Sequence, residues 1–467
     1  MGVEQRHPRP PAGARRQGHH HLPRAGIDPQ RDPARPRRTV PAHRRWRWQG
    51  QGMGAQGNDL GLVMFHSKRM DPGWGRVQRL DRDKDDRVDH APPKAGKIIA
   101  LGGPSSRIAF AHGLRGLAAL SVLLSHYTQH FWTNRPTAAA FLGAPAWDGP
   151  APAVLALHAA LPPGFAGHFG VAVFFLISGF VVPLSLVGRG RTGFALGRAL
   201  RIWPTYAAGF AVTTAAVWLC ARHFGNPVPF GPAQWLAHLA FLQDVLGLGT
   251  IDGISWTLAI EVRFYLLCLL IAPALRLGRV RPLLATGLAL TGLAALAGTV
   301  TWGPGGQMAF EELALSAQMI TYMLVGTVFA ARHRGTAGQG ACLGAGAALL
   351  ALFALQWAGG IMGFQTLPGL TAYGCALLLF GGLFLLRHRI RRVPAPLDAL
   401  ARVSYPLYVV HAVAGYAVLR LLLEAGTPPG AAILATTALA LAAAALLHAL
   451  VEVPTQRAGH RVSRGAP

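Results

Sequence analysis

An arginine and a histidine stand eleven residues apart in HGLRGLAALSVLLSH, residues 112–126, a stretch otherwise apolar enough to lie in a membrane. Eleven residues of α-helix advance about 16 Å and turn about 1100°, so Arg115 and His126 fall within ~20° of one helical face. A titratable or charged side chain on a lipid-spanning helix is costly unless it faces a cavity or a partner, so both are candidates for chemistry. Singly, each has an ordinary reading. Arg115 sits near one end of the stretch, where it can snorkel to the membrane surface, and His126 can be a satisfied interior hydrogen-bonder.

A partner for His126 is offered by ISWTLAIEVRFYLL, residues 254–267. Glu261 enters about 9 Å into that apolar block, a depth close to that expected for His126, and Tyr265 follows at i+4 on the same face. A carboxylate and an imidazole meeting in a low-dielectric interior make an oriented general base; the same pair can equally brace two helices. A third group is GRALRIWPTY, residues 197–206, which sets Arg198 and Arg201 at i, i+3 on one helical face. Two guanidiniums in fixed geometry suit phosphates, and they equally suit lipid headgroups.

The elements that must hold these residues are apolar. Of 467 residues, 52% are hydrophobic and only 13% charged, and the apolar residues come in blocks of roughly twenty separated by Arg-rich or Pro/Gly-rich joints. This composition predicts an all-α, polytopic membrane bundle of about ten transmembrane helices. The blocks run approximately 112–131, 168–187, 202–221, 255–275, 282–301, 310–331, 341–359, 367–386, 402–423 and 429–450. A shorter amphipathic stretch, 232–247, is expected to lie at the interface or to re-enter.

The formal charge of +25 would suit a nucleic-acid partner, but its distribution argues against one. No lysine follows Lys97, and the later arginines gather in alternate joints: Arg189, Arg191, Arg198 and Arg201 after the second block, Arg276 to Arg281 after the fourth, Arg332 and Arg334 after the sixth, Arg387 to Arg392 after the eighth, Arg457 to Arg464 after the tenth. By the positive-inside rule these joints and both termini are cytoplasmic. The four cysteines lie singly, without metal-ligand spacing, so neither a disulfide framework nor a metal site is expected. Residues 1–106 carry many Pro, Gly and Arg without apolar periodicity; they are expected to be disordered, or an extension preceding a later start at Met53, Met64 or Met70. Residues 458–467 read as a short cytoplasmic tail.

Taken in order, these stretches resemble the membrane-bound acyltransferase 3 family, from about residue 107 to 457. HGLRGLAALSVLLSH is similar to the family's first-helix signature, met by Arg115 and His126. HFGVAVFFLISGF, 168–180, resembles the second-helix element, giving Ser178 and Gly179. RALRIWP resembles the Arg-x-x-Arg motif, met by Arg198 and Arg201. SWTLAIEVRFYLL resembles the Trp-Ser/Thr-Leu-x-x-Glu-x-x-Phe-Tyr element, giving Trp256, Glu261, Phe264 and Tyr265. VSYPLYVVH, 403–411, resembles the late Ser-Tyr-x-Leu-Tyr-x-x-His element, giving Tyr405 and His411, and VEVP, 451–454, the closing Glu-x-Pro. His112 and Ala172 stand where the family usually or often has Asp, and Val262 and Arg263 replace a more usual polar pair.

The resemblance implies a bacterial inner-membrane enzyme that moves an acyl group, acetyl above all, from acyl-CoA to a hydroxyl of a carbohydrate or glycoconjugate. Acetyl-CoA would be a co-substrate, with no cofactor bound permanently. Arg198 and Arg201 would grip the CoA phosphates and Arg115 the donor or a developing negative charge. His126 would deprotonate the acceptor or carry the acyl group, with Glu261 orienting its ring. The chain ends soon after the last block, so a second transfer outside the membrane would fall to a separate extracytoplasmic partner. The competing reading is a transporter or flippase, whose buried polar residues would line a substrate path.

Overall fold

The computed structural model describes residues 108–299, 304–359 and 367–465. The expectation for residues 1–106 lies outside the described residues. Among the described residues the secondary structure is helical throughout, with no strand, which makes the protein an all-α polytopic bundle. Over its described residues each apolar block is largely helical: α1 Ala109–Ser125, followed by a π-helical turn His126–His130 and α2 Phe131–Thr133; α3 Arg135–Leu142; α4 Phe165–Leu186; α5 Arg191–His223; α6 Pro232–Leu239; α7 Ser255–Leu270; α8 Ala272–Leu277; α9 Arg281–Thr299; α10 Pro304–His333; α11 Gln339–Ala358; α12 Leu367–Leu385; α13 Ala395–Val410; α14 Val413–Glu424; α15 Pro429–Leu447; and α16 Val453–Gly465. Five of these stretches are long and apolar enough to cross a membrane, and a sixth is added if the bent pair α13–α14 counts as one span.

Lipid gives helices no hydrophobic reason to associate, so close packing must hold them together. Gly179 and Gly326 supply it between α4 and α10. A Cβ on Gly179 would stand 2.0 Å from the Met323 carbonyl oxygen, and one on Gly326 would stand 2.5 Å from that of Leu176. Gly116 does the same between α1 and α13, where a Cβ would lie 2.3 Å from the Leu397 carbonyl oxygen. At that end His112 Nε2 also meets Asp398 Oδ1 at 2.8 Å, a histidine on α1 paired with a carboxylate on α13.

Two elements differ from a plain stack of spans. The block 402–423 is not one rod: α13 and α14 are bent by 76° at His411 and Ala412. The His411 ring donates from Nδ1 to the carbonyls of Tyr408, 2.8 Å, and Leu407, 3.1 Å, taking the Tyr408 acceptor that the Ala412 amide would use to continue the helix. In the amphipathic stretch 232–247, His238 and Gln243 are buried while Leu236, Leu242 and Leu246 are exposed. After α6 the chain turns through residues 240–254, where Gln243 and Asp252 are buried, and it is flanked by the buried His238 at the end of α6 and Ser255 at the start of α7.

Candidate active site

Glu261 is the centre of one polar group. The Tyr265 hydroxyl donates to Glu261 Oε1 at 2.5 Å, one helical turn along α7, and the Ser178 hydroxyl donates to the same oxygen from α4 at 3.2 Å. Arg198 on α5 donates to the Ser185 hydroxyl, with its guanidinium 5.2 Å from the centre of the Tyr265 ring and 5.6 Å from that of Phe194. Arg115, Arg198 and Arg201 all lie within electrostatic range of Tyr265, and Arg115 and Arg198 within range of Glu261 as well. Tyr405 closes the group from α13 by donating to the Ile202 carbonyl at 2.8 Å. Three guanidiniums thus gather around Tyr265 inside an apolar bundle, two of them within range of the Glu261 carboxylate.

His126 is the centre of a second group, at the other end of α1. It is the first residue of the π-helical turn, so the α-helical register from Arg115 holds as far as its Cα. Its Nδ1 lies 2.6 Å from the Tyr416 hydroxyl on α14. Its ring centre stands 4.7 Å from that of His411, edge to face, and 5.3 Å from that of His130, which the π turn brings to its side. Tyr127 locks the frame by donating to the His411 carbonyl at 2.6 Å. Gly415 makes room for that phenol, since a Cβ there would stand 2.1 Å from the Tyr127 hydroxyl oxygen.

The expected pairing of His126 with Glu261 does not form. Glu261 bonds Tyr265 and Ser178, and His126 bonds Tyr416. A depth of about 9 Å for Glu261 takes the start of α7 to lie at the membrane surface. Ser255 is itself fully buried, so α7 starts inside the protein. Glu261 therefore reaches the arginines near the other end of α1. Of the remaining motif residues, Trp256 packs half-buried against the apolar core, and Arg263 reaches Ser316 at 2.5 Å and Asp244 at 4.0 Å, away from the Glu261 group. Tyr416, His130 and Ser185 were not singled out in the sequence. His130 carried a signal, one turn beyond His126; Tyr416 carried none, because the 76° bend removes its helical register.

Residues 108–449 match the acyltransferase 3 family, described as an acyltransferase domain. The chain belongs to that family. No match is found among curated proteins or among solved structures. The protein is thus a membrane acyltransferase, and both polar groups lie within its acyltransferase domain.

Proposed function

We propose that this acyltransferase moves an acetyl group from acetyl-CoA to a hydroxyl of a carbohydrate or glycoconjugate, and that it does so in a bacterial inner membrane with both termini cytoplasmic. The observation that carries the reading is the placement of two groups along one face of α1: the arginines with Glu261 near one end, and His126 with its tyrosine and histidine neighbours at the other. Eleven residues separate them by about 16 Å along the axis. The arginine group receives the anionic part of the donor at the arginine-rich side, and an extended donor reaches from there toward His126. The acceptor comes from the opposite side and meets the acyl group at that histidine. A separate extracytoplasmic protein would perform any further transfer.

Glu261 acts in this scheme on the donor arginines and through Tyr265, not on the His126 ring. A transporter reading gains one feature, the broken helix α13–α14. Family membership and the motif residues gathered at two polar groups favour chemistry over transport.

The test compares O-acetylation of surface glycan in a deletion strain carrying the wild-type gene or His126→Ala. We expect restoration by the wild type and none by the variant at equal membrane abundance, a loss of about 10²–10⁴-fold. Unchanged glycan acetylation on deletion would remove the carbohydrate acceptor, and full activity of a folded His126→Ala protein would remove His126 from the reaction.

A further inference from the structure

The two histidines that face each other at the far end of α1 are held in different ways. His411 is 1% exposed. Its Nδ1 contacts two backbone carbonyls, which only accept, so Nδ1 carries the proton and Nε2 carries the lone pair. That Nε2 is buried and has no hydrogen-bond partner among the described residues. A buried acceptor without a donor is a cost that a fold retains for a reason. His126 is half-buried, and its Nδ1 meets the Tyr416 hydroxyl at 2.6 Å. A phenol is a better donor than acceptor, so Tyr416 donates and the proton of His126 sits on Nε2.

We infer that His411 is the base of the acyl transfer and that His126 is its hydrogen-bond donor, two imidazoles locked in opposite tautomers with ring centres 4.7 Å apart. This rests on the proposed transfer from a thioester to a hydroxyl. The acceptor hydroxyl parts the two rings and donates to His411 Nε2. As its oxygen bonds the carbonyl carbon, the proton passes to Nε2, while the His126 Nε2–H bonds the carbonyl oxygen on which negative charge develops. The C–S bond then breaks, the sulfur leaves with the electron pair, and the proton on His411 returns to that sulfur. The products are an ester and a thiol, with no oxidant or reductant involved.

Other titratable groups facing this pair are His130 and Tyr127 beside His126, Tyr416 on α14, Tyr408 on α13 and Asp252 in the turn before α7.

The experiment uses the full chain in lipid nanodiscs, with acetyl-CoA as donor and octyl β-glucoside as acceptor probe. Released thiol and acetylated glucoside are both measured across pH. His411→Gln should lower kcat about 10²–10⁴-fold with the KM for acetyl-CoA unchanged, and should abolish the rise of rate with pH that a deprotonated base produces. His411→Ala, which opens space at the buried ring, should regain part of its rate with added imidazole; it also serves where the glutamine variant does not fold. His126→Gln, which keeps an N–H donor, should retain more activity than His126→Ala. A His411→Gln protein with wild-type rate and an unchanged pH limb would overturn the base while leaving the acyltransferase reading intact. A wild-type protein that forms no acetylated glucoside and releases no thiol would overturn the donor and acceptor reading, and the base with it.

Discussion

At the scale of single residues, the arginines and Glu261 separate two explanations that share the same side chains. If Arg198 and Arg201 hold a CoA phosphate, the double substitution Arg198→Ala/Arg201→Ala should raise the Kd for acetyl-CoA by about 10²-fold or more, since each charge-assisted bond contributes about 1.5–3 kcal/mol. Arg201→Lys keeps the charge and loses the planar fork, and should weaken binding about tenfold. Calorimetric titration checks both, and equal affinity in all three proteins would return the pair to lipid headgroups. Glu261 bonds Tyr265 and Ser178 and not His126. Glu261→Gln should therefore cost about 10²-fold in rate by loosening the donor while leaving the pH dependence of the rate in place. A displaced pH limb in that variant would restore a coupling of Glu261 to the His126–His411 pair.

At the scale of elements, the crossing of α4 and α10 is held by two glycines whose missing side chains let backbone meet backbone. Gly179→Val places a branched side chain where even a Cβ would sit 2.0 Å from the Met323 carbonyl oxygen. Neither partner is a flexible side chain that can move aside, so the helices must separate. We expect a loss of about 1–3 kcal/mol or more, read as a lower melting temperature and reduced membrane yield. Gly188 is the control: nothing among the described residues lies within 4 Å of its Cβ position, but its φ of +78° restricts it, so Gly188→Asn, which tolerates that backbone, should change stability little.

At the scale of the whole molecule, the arginine-rich joints predict one orientation. A reporter fused after residue 457 should be active only if it remains in the cytoplasm; activity from the outer side would invert the bundle and the proposed route of the donor. A chain that starts at Met70 should insert and acylate as the full chain does. Loss of activity with normal insertion would give the preceding residues a part in the reaction.

The sequence by itself determined that the chain is a helical membrane bundle, because blocks of roughly twenty apolar residues between arginine-rich joints have few other stable forms in lipid. It also placed Arg115 and His126 on one face, since both lie on a single continuous helix whose period is fixed by backbone geometry. Only the tertiary structure decided which residues face them. Glu261 went to the arginines because α7 begins inside the protein at the buried Ser255. Tyr416 and His411 went to His126 because α13 and α14 part by 76° where a side chain takes a backbone acceptor. Periodicity runs along one helix and ends where that helix ends. Partners across helices depend on where each begins and bends, which is set by packing between segments far apart in the chain.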